Sequence, residues 1–444
     1  MYGIVCLSLI SVSVSAREDS AASGWLELSF EESVERMQKE NRSLQIAVND
    51  IEWAKNEHQK LNSFWFPSLT AIGGSFCLSN PVELAWNTLR LPFISQHIAS
   101  VDFTFSWPLF AGGKRMCANK IGQSMVHLAE IKHNQEEAEQ QTLLVEGYFA
   151  LRLGTEIVAV RQEAYEALRQ HYAHALKLEQ NGLITHADCL FVEVSMDEAK
   201  RELEAAREDK DVAQQVLKSL LHIESDIEIG TTTPLFVNDS VPSVDYFKKQ
   251  IPMGNYLVNQ LKLQQNITKN QLKIARSAYF PTIAVVGKQT LCAHGVDKYL
   301  MPRTMIGVGF SWNLFDGLNR ERTIRQARIS DRQLVLGREK AITDLEVGID
   351  KCYSQLQKSF DAIKTLTTTL RMSKELVRVR QRSFQEGMAT STDVVDAEVM
   401  LAKIQIEFQM AYYQYDVALM RLLSICGMPE MFHWYCQQGC AVIH

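Results

Sequence analysis

The sequence predicts a mainly α-helical protein with a small β part, built as two copies of one structural unit. Three observations predict it. Glycine and proline together make 32 of 444 residues, about 7% where average usage gives roughly 12%. The ten prolines leave 109–233 and 303–428 without any. Proline costs about 3 kcal/mol inside a helix, so such gaps are what long helices leave behind. Finally, the chain repeats at an offset of 205. VDFTFSWPLFAGGKR at 101–115 and IGVGFSWNLFDGLNR at 306–320 share seven of fifteen residues, and QNGLITHADCLFVEV at 180–194 and QEGMATSTDVVDAEV at 385–399 share six of fifteen. A constant offset across both blocks means that the element between them takes no insertions, as a continuous helix would not.

Each half reads in the same order: an amphipathic helix, two short strands, a very long helix, a turn and a second long helix. In the first half, Ser29 with Glu32 three residues on makes a capping box, and the helix behind it runs to about Leu61. Pro67 stops it, and 67–76 reads as a strand. The second strand, 101–107, alternates: Val101, Phe103, Phe105 and Trp107 share one face, and Asp102, Thr104 and Ser106 the other. Its counterpart sets Ile306, Val308, Phe310 and Trp312 against Gly307, Gly309 and Ser311. A third repeat, Phe64-Trp65-Phe66-Pro67 with Ala278-Tyr279-Phe280-Pro281, stands at offset 214, so the first half carries nine extra residues between its strand blocks, where a loop absorbs them.

The long helices run from about Gly113 to Asn181 and from Leu318 to Glu386. Each would be about 105 Å long at 1.5 Å per residue. In the second, positions 345, 349, 352, 356, 359, 363, 366, 370, 373 and 377 step by four and three, and eight of the ten are apolar or cysteine. That is a coiled-coil seam. Gly182 and Gly387 end the long helices in turns that need a left-handed residue, and the return helices end near Leu221 and Ile425. The expected division is a signal peptide at 1–16, a first repeat at 17–222, a linker at 223–256, a second repeat at 257–428 and a tail at 429–444. The signal peptide rests on the apolar stretch Ile4–Ala16, which closes on Val14-Ser15-Ala16.

Composition excludes several classes. Hydrophobic residues at 46% exclude a disordered chain, and a net charge of −6 gives no support for nucleic-acid binding. No run of 18 apolar residues offers a transmembrane helix. No HExxH, GxSxG, Walker or GxGxxG motif is present, so the expectation is no enzyme, no cofactor and no metal. His171 and His174, three apart on a helix, lack a third ligand and read as an exposed face. The nine cysteines form no CxxC pair, and a bridge between Cys436 and Cys440 stays open.

Four amphipathic strands per chain are too few to close a membrane barrel, which needs at least about eight. Open strand edges are not tolerated in lipid either. Either the strands form a small soluble sheet or several chains pool them, and three chains would supply twelve. At this point the sequence resembles the TolC-like outer-membrane efflux proteins. The resemblance covers nearly all of the mature chain. It rests on Leu28-Ser29-Phe30-Glu31-Glu32-Ser33-Val34 with Asn41 following, the aromatic-Pro strand starts at Pro67 and Pro281, and the blocks FSWPLFAGG and FSWNLFDG. The turn blocks at Gly182–Asp188 and Gly387–Ala397 complete it.

The resemblance implies a homotrimer with a twelve-stranded outer-membrane β-barrel and a twelve-helix periplasmic α-barrel. It also implies an exit duct, most simply for small molecules or drugs, that meets a periplasmic adaptor (membrane fusion) protein and an inner-membrane transporter of RND or ABC type. The partners would thus be the other protomers, these two proteins and outer-membrane lipid, with no nucleic acid. By position, Asp393 and Asp396 would ring the pore at the periplasmic tip, where three copies would concentrate cations and respond to pH. Asp188 and Phe384 match a pair that holds the tip closed, although Phe384 lacks the usual hydroxyl and Ala389 stands where an arginine is often found. Asp188 and Asp393 also suit helix N-caps, and Asp396 the first helical turn. The rival class is a coiled-coil scaffold or the adaptor itself, which would carry one helical hairpin flanked by β domains.

Overall fold

A computed structural model describes residues 24–80, 82–86, 89–224, 226–296 and 303–441; the expected signal peptide at 1–16 lies outside the described residues. The chain enters as β1 (Trp25–Leu28) and turns at Ser29 into α1 (Phe30–Glu40). The Ser29 hydroxyl accepts from the Glu32 N–H, and the Glu32 carboxylate accepts from the Ser29 N–H, completing the capping box. There follow α2 (Arg42–Asn62), β2 (Ser68–Cys77), β3 (Val82–Trp86), β4 (Leu89–Ala111), α3 (Lys114–Gln180) and α4 (His186–Leu221). The joining segment holds β5 (Glu228–Thr231), β6 (Phe236–Val237) and α5 (Val244–Gly254). The second half repeats the order without a counterpart of β3, so the two strands expected in each half are three in the first and two in the second: α6 (Tyr256–Ser277), β7 (Thr282–Val296), β8 (Thr304–Ser311), α7 (Asn319–Gln385) and α8 (Ser391–Cys426). The tail adds α9 (Met431–Gln438) and β9 (Cys440–Ala441).

The helix expected from Ser29 to Leu61 is two helices. Asn41 ends α1, and its side chain accepts from the N–H groups of Ser43 and Leu44, so one residue stops the first helix and caps the second. Asn255 does the same between α5 and α6, accepting from the Val258 N–H. The two asparagines stand 214 apart, the offset of the aromatic-Pro pair. The strands are also longer than the alternating pattern suggested: β4 has 23 residues and β7 has 15, because pairing continues through bulged segments whose alternation is broken.

The main sheet is antiparallel in the order β2–β4–β7–β8, with β3 folded back on β4. From it the helices run away on one side. α3 and α7 have 67 residues each, about 100 Å of helix. Each packs along its return helix, and α3 lies against α8, which sets the two hairpins side by side. In the seam of α7, Ile349, Leu356, Ser359, Ile363, Ser373 and Val377 are buried.

The core sits midway along this body. Phe30, Tyr148, Phe149, Phe236 and Phe432 interlock, with ring centroids 5.3 to 6.2 Å apart, mostly edge to face. Two tyrosines tie the joining segment to the long helices. Tyr148 donates to the Leu28 carbonyl at 2.8 Å and accepts from the Thr233 N–H, while Tyr415 donates to the Asn238 carbonyl at 2.8 Å. β1 pairs in parallel with β5, so the start of the first repeat is stitched to the segment that leaves it. Cys436 is a free thiol.

Candidate functional site

Two regions carry the residues expected to matter: the sheet, and the far end of the hairpins. In the sheet, register decides which side chains share a face. Phe105 lies opposite Leu69, Phe103 opposite Ala71, Trp107 opposite Val285, Val285 opposite Val308, and Ile283 opposite Phe310. Directly paired residues point the same way, so Phe103, Phe105, Trp107 and Phe310 belong to one continuous apolar face. The other face carries Thr104, Asp102, Lys288 and Thr290. Thr290 donates to the Asp102 carboxylate at 2.6 Å, and Lys288 pairs with it at 2.9 Å. A sheet with one aromatic face and one hydrated, ion-paired face suits lipid on one side and water on the other. At its helical edge, Trp107 donates its indole N–H to the Trp65 carbonyl at 3.1 Å, and Trp312, one residue past β8, donates to the Tyr279 carbonyl at 3.2 Å.

At the far end the hairpins turn in two matching corners. Gly182 and Gly387 have φ of 72° and 73°, a conformation that strains any residue with a Cβ. Behind them, Leu183 N–H reaches the Leu178 carbonyl and Met388 N–H the Ser383 carbonyl, closing the helix ends. Thr185 and Thr390, not the aspartates, are the N-caps. Each threonine hydroxyl accepts from the N–H of the aspartate three residues on, and the aspartate accepts back from the threonine N–H. Asp188 and Asp393 are thus the reciprocal partners of two capping boxes. Sequence reading missed this because Thr-x-x-Asp was read at its aspartate.

The two corners then differ. Asp393 also receives Arg380 at 3.3 Å, whereas the position 205 before Arg380 is Ala175. Hydrogen bonds from Thr390, backbone first, hold the Asp393 carboxyl below its ordinary range, and Arg380 adds to this. Asp396 is exposed on the next turn of α8. Phe384 is buried, but its neighbours are two histidines: the His171 ring at 4.8 Å and the His174 ring at 5.9 Å. Asp188 instead spends its carboxylate on Thr185. His171 is therefore not part of a free helical face. It is half-buried, and its Nε2 is shielded without a hydrogen-bond partner. Burial, then the neighbouring His174, lowers its pKa. Next to it Glu398 is buried, accepts from Gln381 at 2.6 Å, and is pushed above the usual carboxylate range by that burial. Among the described residues no group of three or more His, Cys, Asp or Glu is arranged to hold a metal ion.

Comparison with known proteins agrees with this anatomy. Residues 254–428 match the family model "Outer membrane efflux protein". The chain is 19% identical over 307 residues to "Outer membrane protein TolC" of Escherichia coli (strain K12), covering 66% of this chain and 62% of TolC. The chain is thus similar to outer membrane efflux proteins, by family model over residues 254–428 and by distant identity over a longer stretch. It is also 19% identical over 317 residues to "Alkaline protease secretion protein AprF" of Pseudomonas aeruginosa, covering 70% of this chain and 66% of AprF. These matches thus span just under two thirds of the relatives' own lengths. Among solved structures the fold is like that of CusC, with TM-score 0.76, 15% identity and coverage of 91% of this chain and 93% of that one. VceC of Vibrio cholerae gives 0.75, 15%, 90% and 96%. The family model and the TolC relative are both described as outer membrane proteins. No described helix is long and apolar enough to cross a membrane, a criterion that does not bear on strands.

Proposed function

We propose that the protein is an exit duct that passively conducts substrates from an inner-membrane pump, by way of a periplasmic adaptor, across the periplasm and the outer membrane. The observation that carries this is the sheet: four antiparallel strands in a row, with the short β3 folded back on β4, one face apolar and the other polar, joined directly to helices about 100 Å long. Among the described residues of one chain both edges of the row, β2 and β8, are unpaired. Lipid does not tolerate such edges, and three chains close them into twelve strands. The same three chains supply the walls of a helical tunnel. In this reading 17–222 and 257–428 are the two repeats, 223–256 joins them, and 429–444 is a tail whose α9 and β9 dock on the middle of the body.

The tip is the proposed gate, with Asp396 as the free pore-facing carboxylate and Asp393 held in its cap and by Arg380. Phe384 on His171 and His174 takes the place of the aspartate–aromatic link. The proposed cargo is small molecules. The test is single-channel conductance of the purified protein in planar bilayers, with Asp393→Asn/Asp396→Asn beside the wild type. Discrete cation-preferring channels, with that preference weakened in the variant, support both duct and gate. Unaltered channels in the variant keep the duct and remove the gate from these aspartates. A well-folded wild type that neither forms channels nor enters the outer membrane sinks the reading. Export of a polypeptide but not of small molecules, in cells carrying the gene, would overturn the cargo class alone.

A further inference from the structure

We propose that the junction between the sheet and the helices is a binding surface for the head groups of acidic phospholipids; this rests on the sheet's apolar face meeting lipid. The first observation is charge segregation. The four helical segments that meet the sheet, 55–62, 114–125, 269–277 and 319–330, carry twelve lysines and arginines against two glutamates, in a chain whose net charge is −6. These segments lie side by side, because α2 packs on α3, α3 on α6 and α6 on α7. The basic groups therefore form one collar at one level of the molecule.

The second observation places cations of this collar by the sheet's aromatic edge. Trp107, a member of the apolar face, is hydrogen-bonded to the Trp65 carbonyl, and the Arg115 guanidinium lies 5.1 Å from the centre of the Trp65 ring. The second repeat builds the same unit: Trp312 bonds to Tyr279, and Arg320 lies 4.8 Å over the Tyr279 ring. Tryptophan and tyrosine settle at the level of lipid head groups, and a stacked guanidinium keeps its in-plane donors for a phosphate.

The third observation separates the two arginines. Arg320 spends both Nη groups within the chain, on the carbonyls of Ala278, Asn313 and Leu314, and its Nε lies 3.3 Å from the Asp316 carboxylate. The residue equivalent to Asp316 is Ala111, and Arg115 has no hydrogen bond or ion pair to any described residue, with its Nη2 shielded. Lys114 beside it and Arg276 at the end of α6 are exposed. Polybasic surfaces next to a bilayer attract anionic lipid, and the attraction decays within a Debye length. The exposed Lys114 and Arg276, with the half-buried Arg115 between the aromatic edge and Lys114, are the residues this surface presents to a phosphate.

The experiment uses the full-length protein in nanodiscs of phosphatidylethanolamine, with or without about one fifth phosphatidylglycerol, followed by detergent extraction and mass spectrometry of the retained lipid. The wild type is expected to retain phosphatidylglycerol about threefold or more above its share of the bilayer. That enrichment should fall as salt rises, as surface attraction to an anionic membrane requires. Lys114→Gln/Arg115→Gln/Arg276→Gln should bring retention to the level of the bulk lipid, and Arg115→Lys should keep most of it. Should the triple variant fail to assemble, Arg115→Gln alone is expected to lose at least half of the enrichment. Equal retention of both lipids by the wild type overturns the proposal. So does enrichment that the substitutions leave unchanged, or a change confined to the ion preference of the channel, which would put the collar in the lumen. Preferential binding of the collar to peptidoglycan, with no lipid preference, overturns it as well. A wild type that never enters a bilayer fails the membrane reading itself.

Discussion

At the residue scale, the tip is held by unequal means in its two halves. Phe384 packs edge-on against His171, whose neutral form suits that packing because burial disfavours the cation. The His171 pKa lies below 6.5 in the folded tip. The packing is therefore intact when pH is above that value and weakens as pH falls through the lowered pKa. Glu398 acts in the opposite sense: its raised pKa means that the buried carboxylate opposes the packing at neutral pH and is relieved as it gains a proton. Acidification below about 6.5 is therefore expected to raise channel open time through His171. His171→Phe should flatten that response in bilayer recordings, and a response that survives the substitution would transfer the effect to another group.

A second residue sits in the core. Asp416 is fully buried; its Oδ2 accepts from the Phe236 N–H at 3.5 Å, and its Oδ1 is unpartnered among the described residues. Desolvation pushes its pKa well above the ordinary 3.8. A carboxyl that binds its proton more tightly when folded subtracts stability as pH rises from the unfolded value toward the folded one. Asp416→Asn keeps the shape and cannot ionise. Its melting temperature should exceed that of the wild type at pH 8 and approach it near pH 4, and parallel pH profiles would refute the buried-proton account.

At the scale of elements, the corners depend on threonine as much as on glycine. Thr185 and Thr390 each satisfy a free N–H at the start of α4 or α8 and hold an aspartate in return. Replacing such a cap with alanine typically costs about 1 kcal/mol. Thr390→Ala should therefore raise amide exchange in the first turn of α8 about fivefold, and Thr185→Ala that of α4, measured by hydrogen–deuterium exchange. Because Asp393 keeps Arg380 while Asp188 has no such tie among the described residues, the loss should be smaller at Thr390.

At the scale of the whole molecule, the proposed pooling of strands makes the faces of the sheet decide whether chains assemble. Phe105 belongs to the apolar face and Thr104, its neighbour, to the face of Lys288 and Asp102. A lysine on a lipid-facing strand position costs about 2–4 kcal/mol near the bilayer midplane, whereas lumen positions tolerate it. Phe105→Lys is expected to reduce heat-modifiable oligomer in the outer membrane several-fold, with Thr104→Lys close to wild type. The reverse order would turn the barrel inside out.

Much of this architecture is legible in the sequence. The long helices were bounded within a residue of Lys114–Gln180 and Asn319–Gln385, because proline and glycine act locally and leave their mark in the chain. The alternation at 101–107 set its two faces, and the repeat supplied the order of elements, because both follow from periods of two or of a few residues. Less legible was the break at Asn41 and Asn255, since an asparagine in a helical pattern does not announce whether its side chain will turn back on its own backbone. The neighbours of Phe384, the tie of Arg380 to Asp393, the burial of Asp416 and the stacking of Arg115 on Trp65 were decided only by the tertiary structure. Each joins groups from separate elements, or from separate turns of a corner, and no local period encodes which of many exposed faces will meet.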